Sequence, residues 1–157
     1  MPGSLLLPLA PVPTITQAKF ADLISPLLGL VVTHTWRGHG SAIFLELGPL
    51  SRPPGNNPMG VATVMLEWSW RVEAARSISF GSFSTDRKIE TGLANLVGRR
   101  IEHIELFGRL PEVMLTLSGG QWVCSFATAE GQPEWAFLLG ARGSLSVERG
   151  ALTHKES

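Results

Sequence analysis

The sequence predicts an α+β fold, mainly β: a pseudo-twofold duplicated β-sandwich or barrel with two flanking helices. Three observations carry that expectation. The stretch 85–105, TDRKIETGLANLVGRRIEHIE, has a degenerate copy at 16–35; laying Thr16 on Thr85 also places Lys19 on Lys88, Phe20 on Ile89, Leu27 on Leu96, Gly29 on Gly98 and His34 on His103. Much of the remaining chain alternates apolar and polar residues with the period of two that half-buried strands require. At 157 residues the chain has the size of one domain, and two repeats are too few for a solenoid, so each unit must bury its apolar face against the other. The expected organisation is an arm over 1–13, unit one over 14–84, unit two over 85–152 and a tail over 153–157.

In unit one, Phe20, Leu23, Ile24 and Leu27 recur at helical spacing behind Thr16, a hydroxyl placed to cap the first turn. Pro26 should end that helix around Ser25, because its ring meets the carbonyl of Asp22 and it donates no hydrogen bond. Gly29 allows a reversal into a strand over 30–36, and a turn containing Gly38 and Gly40 leads to a second strand over 42–47 with Ile43, Leu45 and Leu47 on one face. The segment 48–60, GPLSRPPGNNPMG, has no apolar period and reads as a loop. After it, Ala62, Val64, Leu66, Trp68, Trp70 and Val72 alternate inward, with a bend near Ser69 dividing two strands. A strand over 77–81, with Ile78 and Phe80 inward, closes the unit.

Unit two opens with a helix over 86–97, capped by Ser84 or Thr85 and ended by Gly98. Strands follow over 99–106, 112–117, 121–128, 134–139 and 144–147, with Ser118-Gly119-Gly120 as a tight hairpin turn. That turn stands where unit one has its long loop. Trp70 matches Trp135, and Cys124 alternates with Trp122 and Phe126 on the expected core face.

Charge and composition narrow the function classes. Thirteen cationic and thirteen anionic side chains balance, which removes the electrostatic argument for nucleic acid or an anionic membrane as partner. A single cysteine precludes an intramolecular disulfide, and no apolar stretch approaches the ~20 residues of a membrane-spanning helix, so a cytoplasmic protein is expected. The apolar run from Leu5 to Val12 lacks a preceding basic residue and is broken by Pro8 and Pro11; it reads as an extended arm.

The pattern Leu96-Val97-Gly98-x-x-Ile101-x-x-Ile104, the alternating strand pair, the Trp70-Arg71 strand and the Gly81-Ser82 pair resemble a family of small uncharacterised bacterial proteins. Some members of that family accompany toxin and immunity clusters. The resemblance covers most of the chain from Leu23 onward, rests on fold-forming residues, and implies a fold and an immunity-like setting without assigning a site.

Chemistry-bearing motifs are sparse. There is no HExxH, no GxSxG elbow, no phosphate loop and no dinucleotide fingerprint, so neither a catalytic residue nor a cofactor or metal is expected. His34 and His103 occupy equivalent positions and form a pseudo-symmetric candidate for metal binding or proton transfer; ordinary strand histidines are the plainer reading. Ser82 and Ser84 suit a turn and a helix cap. Arg99 and Arg100, just past a helix, suit solvent, nearby carboxylates or a phosphate. Among the tryptophans, Trp68, Trp70 and Trp122 read as core, while Trp36 ends a strand beside Arg37 at a loop rim.

The preferred recognition residues are Trp36, Arg37, Arg52, Asn56 and Asn57. A long loop in a compact domain is uncommon and often functional, its prolines lower the cost of ordering, and arginine and asparagine supply directional hydrogen bonds. The leading expectation is therefore a non-enzymatic module that binds another protein. The alternatives are a small enzyme with its site between the units near His34 and His103, and a structural homo-oligomer joined through strand edges or the N-terminal arm.

Overall fold

The computed structural model describes residues 14–52 and 57–157; the arm over 1–13 and Asn56 lie outside the described residues. Helix α1, Gln17–Ile24, starts where the Thr16 hydroxyl accepts the Lys19 N–H at 3.0 Å, and buries Phe20, Leu23 and Ile24. Pro26 sits in the 3-10 turn Ser25–Leu27, which tightens the end of the helix as its missing N–H demands. Helix α2, Asp86–Leu96, is capped in the same way by Thr85 on Lys88 and buries Ile89, Leu93 and Leu96. Gly29 and Gly98 follow the two helices with φ of 89° and 93°, a conformation that favours residues without a Cβ.

The strands are β1 (Val32–Arg37), β2 (Ile43–Leu47), β3 (Ala62–Trp68), β4 (Trp70–Glu73), β5 (Ile78–Gly81), β6 (Ile101–Phe107), β7 (Glu112–Leu117), β8 (Gln121–Ser125), β9 (Glu134–Leu138), β10 (Ser144–Glu148) and β11 (Ala151–Lys155). They form two antiparallel sheets. Sheet one runs β1-β2-β3-β9-β10-β11 and sheet two runs β5-β4-β8-β7-β6. The mainly β, α+β sandwich with two short helices is thus the fold of the chain.

The two sheets are interlaced. Between β3 and β4 the chain leaves sheet one for sheet two, and between β8 and β9 it crosses back. Exchanging β1 to β5 with β6 to β10 converts the order β1-β2-β3-β9-β10 into that of the other sheet. The segments leading into β1 and β6 meet as an antiparallel bridge of Val31 with Arg100, two residues that coincide when Thr16 is laid on Thr85. Around it, Val32 N–H to Arg99 O and Ile101 N–H to Leu30 O are both 2.8 Å, as are Gly29 N–H to Ile101 O and Gly98 N–H to Val32 O. A bridge whose bonds map onto one another is what a local twofold axis through it produces.

Between the sheets lies one apolar core. Ile43, Leu45, Leu47, Val64 and Phe137 face Val72, Val113, Leu115, Leu117 and Val123, with both helices adding leucines and isoleucines. The indole Trp70 is edge-on to Phe80 at 5.8 Å and donates to Ser41 O, while Trp135 donates to Pro111 O, so both buried N–H groups are satisfied.

Five inward assignments from the alternation fail: Trp68 and Ile78 where register is reset, and Trp122, Cys124 and Phe126 because β8 turns its other face to the core. Trp68 is 45% exposed, because the β3–β9 register shifts between Leu66 and Trp68 as the chain prepares to change sheets. Ile78 is 57% exposed, because a shift opposite Val72 and Glu73 turns it away while Phe80 stays buried. Val123, not Cys124, points into the core; Cys124 is buried on the outer side of sheet two, in register with Arg71 and Met114, and Phe126 is exposed beneath the Arg71 guanidinium at 4.9 Å. Finally, β11 runs through the boundary at 152 and 153, placing most of the expected tail in sheet one.

Candidate functional site

The inward face of β2 carries Ile43, Leu45 and Leu47, so its alternate residues Phe44 and Glu46 face outward. On β1, Trp36 is the register partner of Phe44, and the two rings stack with centroids 3.8 Å apart and planes 7° from parallel. Thr63 on β3 is the register partner of Glu46, and Leu138 on β9 is the partner of Thr63. Four neighbouring strands therefore bring one aromatic stack, one carboxylate, one hydroxyl and one apolar side chain to the same patch.

Residues 57–60, the described end of the long loop after β2, lie over this patch. Ser51 and Met59 exchange backbone hydrogen bonds at 2.7 and 2.8 Å, and Gly60 passes so close to β2 that a Cβ there would lie 2.3 Å from the Leu47 carbonyl oxygen. The result is a cavity of about 430 Å³ bounded by Trp36, Phe44, Glu46, Thr63, Leu138 and the loop residues 57–59. That is a volume ordinary for ligand sites.

Glu46 is 1% exposed, unusual for an acidic residue on the outward face of a sheet. Trp36 Nε1 donates to its Oε2 at 2.7 Å, while Thr63 Oγ1 and Gly60 N–H donate to Oε1 at 2.5 and 3.1 Å. All three donors are neutral. Among the described residues no lysine or arginine pairs with Glu46, although four such pairs form elsewhere. His34 stands opposite Glu46 in the β1–β2 register, and its buried Nε2 has no hydrogen-bond partner among the described residues.

The residues expected from sequence divide around this patch. Trp36 and Asn57 line the cavity, and Arg52 lies exposed in the loop, whereas Asn56 falls outside the described residues. Arg37 alternates to the other side of β1 and pairs with Asp86 at the start of α2, 3.0 Å away. His103 is on the outer face of sheet two, opposite Thr116 and 3.7 Å from Glu105 Oε2, so His34 and His103 are attached to different sheets and share no contact. Among the described residues no group of three or more His, Cys, Asp or Glu could hold a metal ion. Arg99 and Arg100 donate to Asn95 O, Ser118 O and Gly29 O, satisfying carbonyls at helix ends and turns. Ser84 accepts from Gly81 N–H and Ser82 bonds Trp70, leaving the helix cap to Thr85.

Sequence reasoning missed Phe44, Glu46, Thr63 and Met59. The available signal was the pairing of a phenylalanine and a glutamate on the outward side of β2, next to the one long loop. A second surface was also missed. Trp68 and Phe83 meet edge-on at 5.6 Å, and Ile78, Phe83 and Phe126 border a groove beside β5, with Phe83 75% exposed.

Among the described residues no helix is long and apolar enough to cross a membrane. Comparison with protein-family models, curated proteins and solved structures yields no match to this chain.

Proposed function

We propose that this chain is a non-enzymatic binding module, of immunity-like character and bacterial setting, that recognises another protein through the loop-covered face of sheet one. The observation that carries the reading is the cavity over Glu46. It is formed at the one β2–β3 link that is long, whereas the corresponding β7–β8 link is the tight turn at Ser118 to Gly120. Its floor is anchored in four strands and Gly60 is tied to Glu46 on β2, so this part of the site requires little ordering when a partner arrives. The Trp36 and Phe44 rings offer the aromatic anchor that dominates many interfaces.

The test is affinity capture from a native lysate with the intact protein, with a variant whose segment 52–57 is a glycine-serine turn, and with Trp36→Ala. A partner held by the intact chain and lost from both folded variants supports the reading. A partner retained equally by all three removes it from this face.

A second reading, a structural homo-oligomer, is favoured by the edge of sheet two. Among the described residues no further strand lies beside β5, while its counterpart β10 is covered by β11, and Trp68, Ile78, Phe83 and Phe126 are exposed nearby. Light scattering over a dilution series, repeated with Phe83→Ser, separates the two readings: only an assembly through that edge shrinks on this substitution.

A further inference from the structure

Resting on the binding-module reading but narrowing it, we infer that the cavity over Glu46 is a site for an organic cation, an alkylguanidinium or alkylammonium group. The argument starts from lone pairs. A carboxylate offers about four acceptor positions, and three are filled by Trp36, Thr63 and Gly60. Each of those donors is neutral, so they orient the carboxylate and leave its charge to be balanced from outside.

The walls select among ligands that could supply the remaining donor. An anion would meet Glu46 across a cavity whose described lining residues include no lysine or arginine. An apolar group would leave the charge of the already buried carboxylate unpaired and its last acceptor position unbonded. A calcium-like ion needs six or more oxygens, far beyond one carboxylate whose own oxygens are already engaged. An organic cation satisfies both features at once: its N–H groups reach Glu46, and its charge lies against the Trp36–Phe44 stack. Guanidinium suits the flat stack better than ammonium, because it is planar and weakly hydrated. The buried Nε2 of His34, beside Glu46 in register, is a further polar atom on this face with no hydrogen-bond partner among the described residues. The cation can belong to an arginine or lysine of a protein or to a free amine; the recognising chemistry is shared.

The experiment is calorimetric titration of the intact protein with n-butylguanidinium, n-butylammonium, neutral N-butylurea and a capped arginine dipeptide. The expected result is saturable binding of guanidinium, weaker binding of ammonium, and binding of the urea at least ~10-fold weaker, as loss of a charge partner requires. In Glu46→Gln, folded by circular dichroism, the guanidinium affinity should fall by a similar factor. Binding of the dipeptide alone assigns the cation to a protein side chain, and binding of the free cation alone assigns it to a small amine; both support the site. Equal affinity for the urea, undiminished binding in folded Glu46→Gln, or no binding by any cation overturns it. The urea comparison uses unaltered protein and so holds even if Glu46→Gln unfolds. If cations fail while the loop replacement still abolishes partner capture, the cation site falls and the binding-module reading stands; if cations bind and no partner is captured, the reverse follows.

Discussion

Gly60→Ala should be among the most damaging single methyl additions in the chain, and its cost can be worked from the geometry. A Cβ at position 60 would lie 2.3 Å from Leu47 O, 2.6 Å from Leu47 N and 2.9 Å from Leu47 C. These are backbone atoms of a core strand whose side chain is buried, so β2 cannot yield. The loop must move instead. Displacement breaks Gly60 N–H to Glu46 Oε1 and Val61 N–H to Leu47 O, which is 2.8 Å. A bond to a charged acceptor contributes roughly 2 kcal/mol and a neutral one about 1 kcal/mol, giving ~3 kcal/mol. For a chain of this length that corresponds to a fall in Tm of about 6 to 12 °C. Urea and thermal unfolding followed by tryptophan fluorescence measure it. Gly120→Ala is the control: Gly120 has φ of 73° but no atom near its missing Cβ, so only the backbone conformation, about 1 kcal/mol, is lost. If Gly60→Ala costs no more than Gly120→Ala, the close approach of the loop to β2 is refuted.

Three further outcomes follow from buried and paired groups. Burial, reinforced by the charge of Glu73, pushes the Cys124 thiol up to about 12, so the native protein should resist iodoacetamide at pH 8 and react only on unfolding. A raised acid gives stability that is complete below the ordinary thiol range and is lost as pH rises toward the folded value; wild type should therefore lose up to ~1.4 kcal/mol more per pH unit than Cys124→Ala between pH 9 and 11, and parallel curves would contradict this. Burial and then the hydrogen bond and charge of Glu134 raise the Glu67 carboxyl, so its protonated form favours folding at low pH and the benefit disappears on ionisation. Glu67→Gln should stabilise at pH 7 by no more than ~0.5 kcal/mol at this exposed site and change nothing at pH 4; a loss of stability at pH 7 would contradict it. Ser125 accepts from Val113 N–H at 2.9 Å and donates to Glu112 Oε1 at 2.8 Å inside the protein, so Ser125→Ala should cost ~2 kcal/mol in urea unfolding, and a neutral result would show that neither bond matters.

What was legible in the sequence follows the range of the interactions involved. The caps Thr16 and Thr85, the stop at Pro26 and the reversals at Gly29 and Gly98 depend on neighbours within a few residues, and they appear where the residue types place them. Alternation worked on β2 and β7, which have no internal shift. It failed for Trp68 and Ile78 because an inserted residue puts the neighbouring side chain on the other face while Trp70 and Phe80 keep theirs, and nothing in the composition announces the insertion. It failed for Cys124 because Trp122 and Phe126 outweigh Val123 in apolar content, although Arg71 can cover an aromatic ring from outside. Strand β11 went unread because Ala151 to Lys155 carries too few apolar residues to show a period. The site was half legible. Trp36 and Asn57 were named from the loop and its rim, but the importance of Glu46 depends on a loop roofing a strand, a contact between distant segments that no local pattern contains.

The two surfaces differ in how much of their binding energy the protein has already committed to order. Beside β5, the edge is only four residues long and one of its partners is shifted by a bulge, so it offers few ladder bonds to an incoming strand. Association there must draw mainly on Phe83, Trp68 and their neighbours, and apolar contact of that kind tolerates many partners. The cavity over Glu46 is different. Its carboxylate is fixed by donors from β1, β3 and the loop, so a ligand meets a preformed geometry and a charge that wrong partners cannot match. On the binding reading proposed above, specificity is concentrated on sheet one, while the edge of sheet two supplies contact area. An interface spanning both would lose selectivity on changing Glu46 and lose affinity without selectivity on changing Phe83.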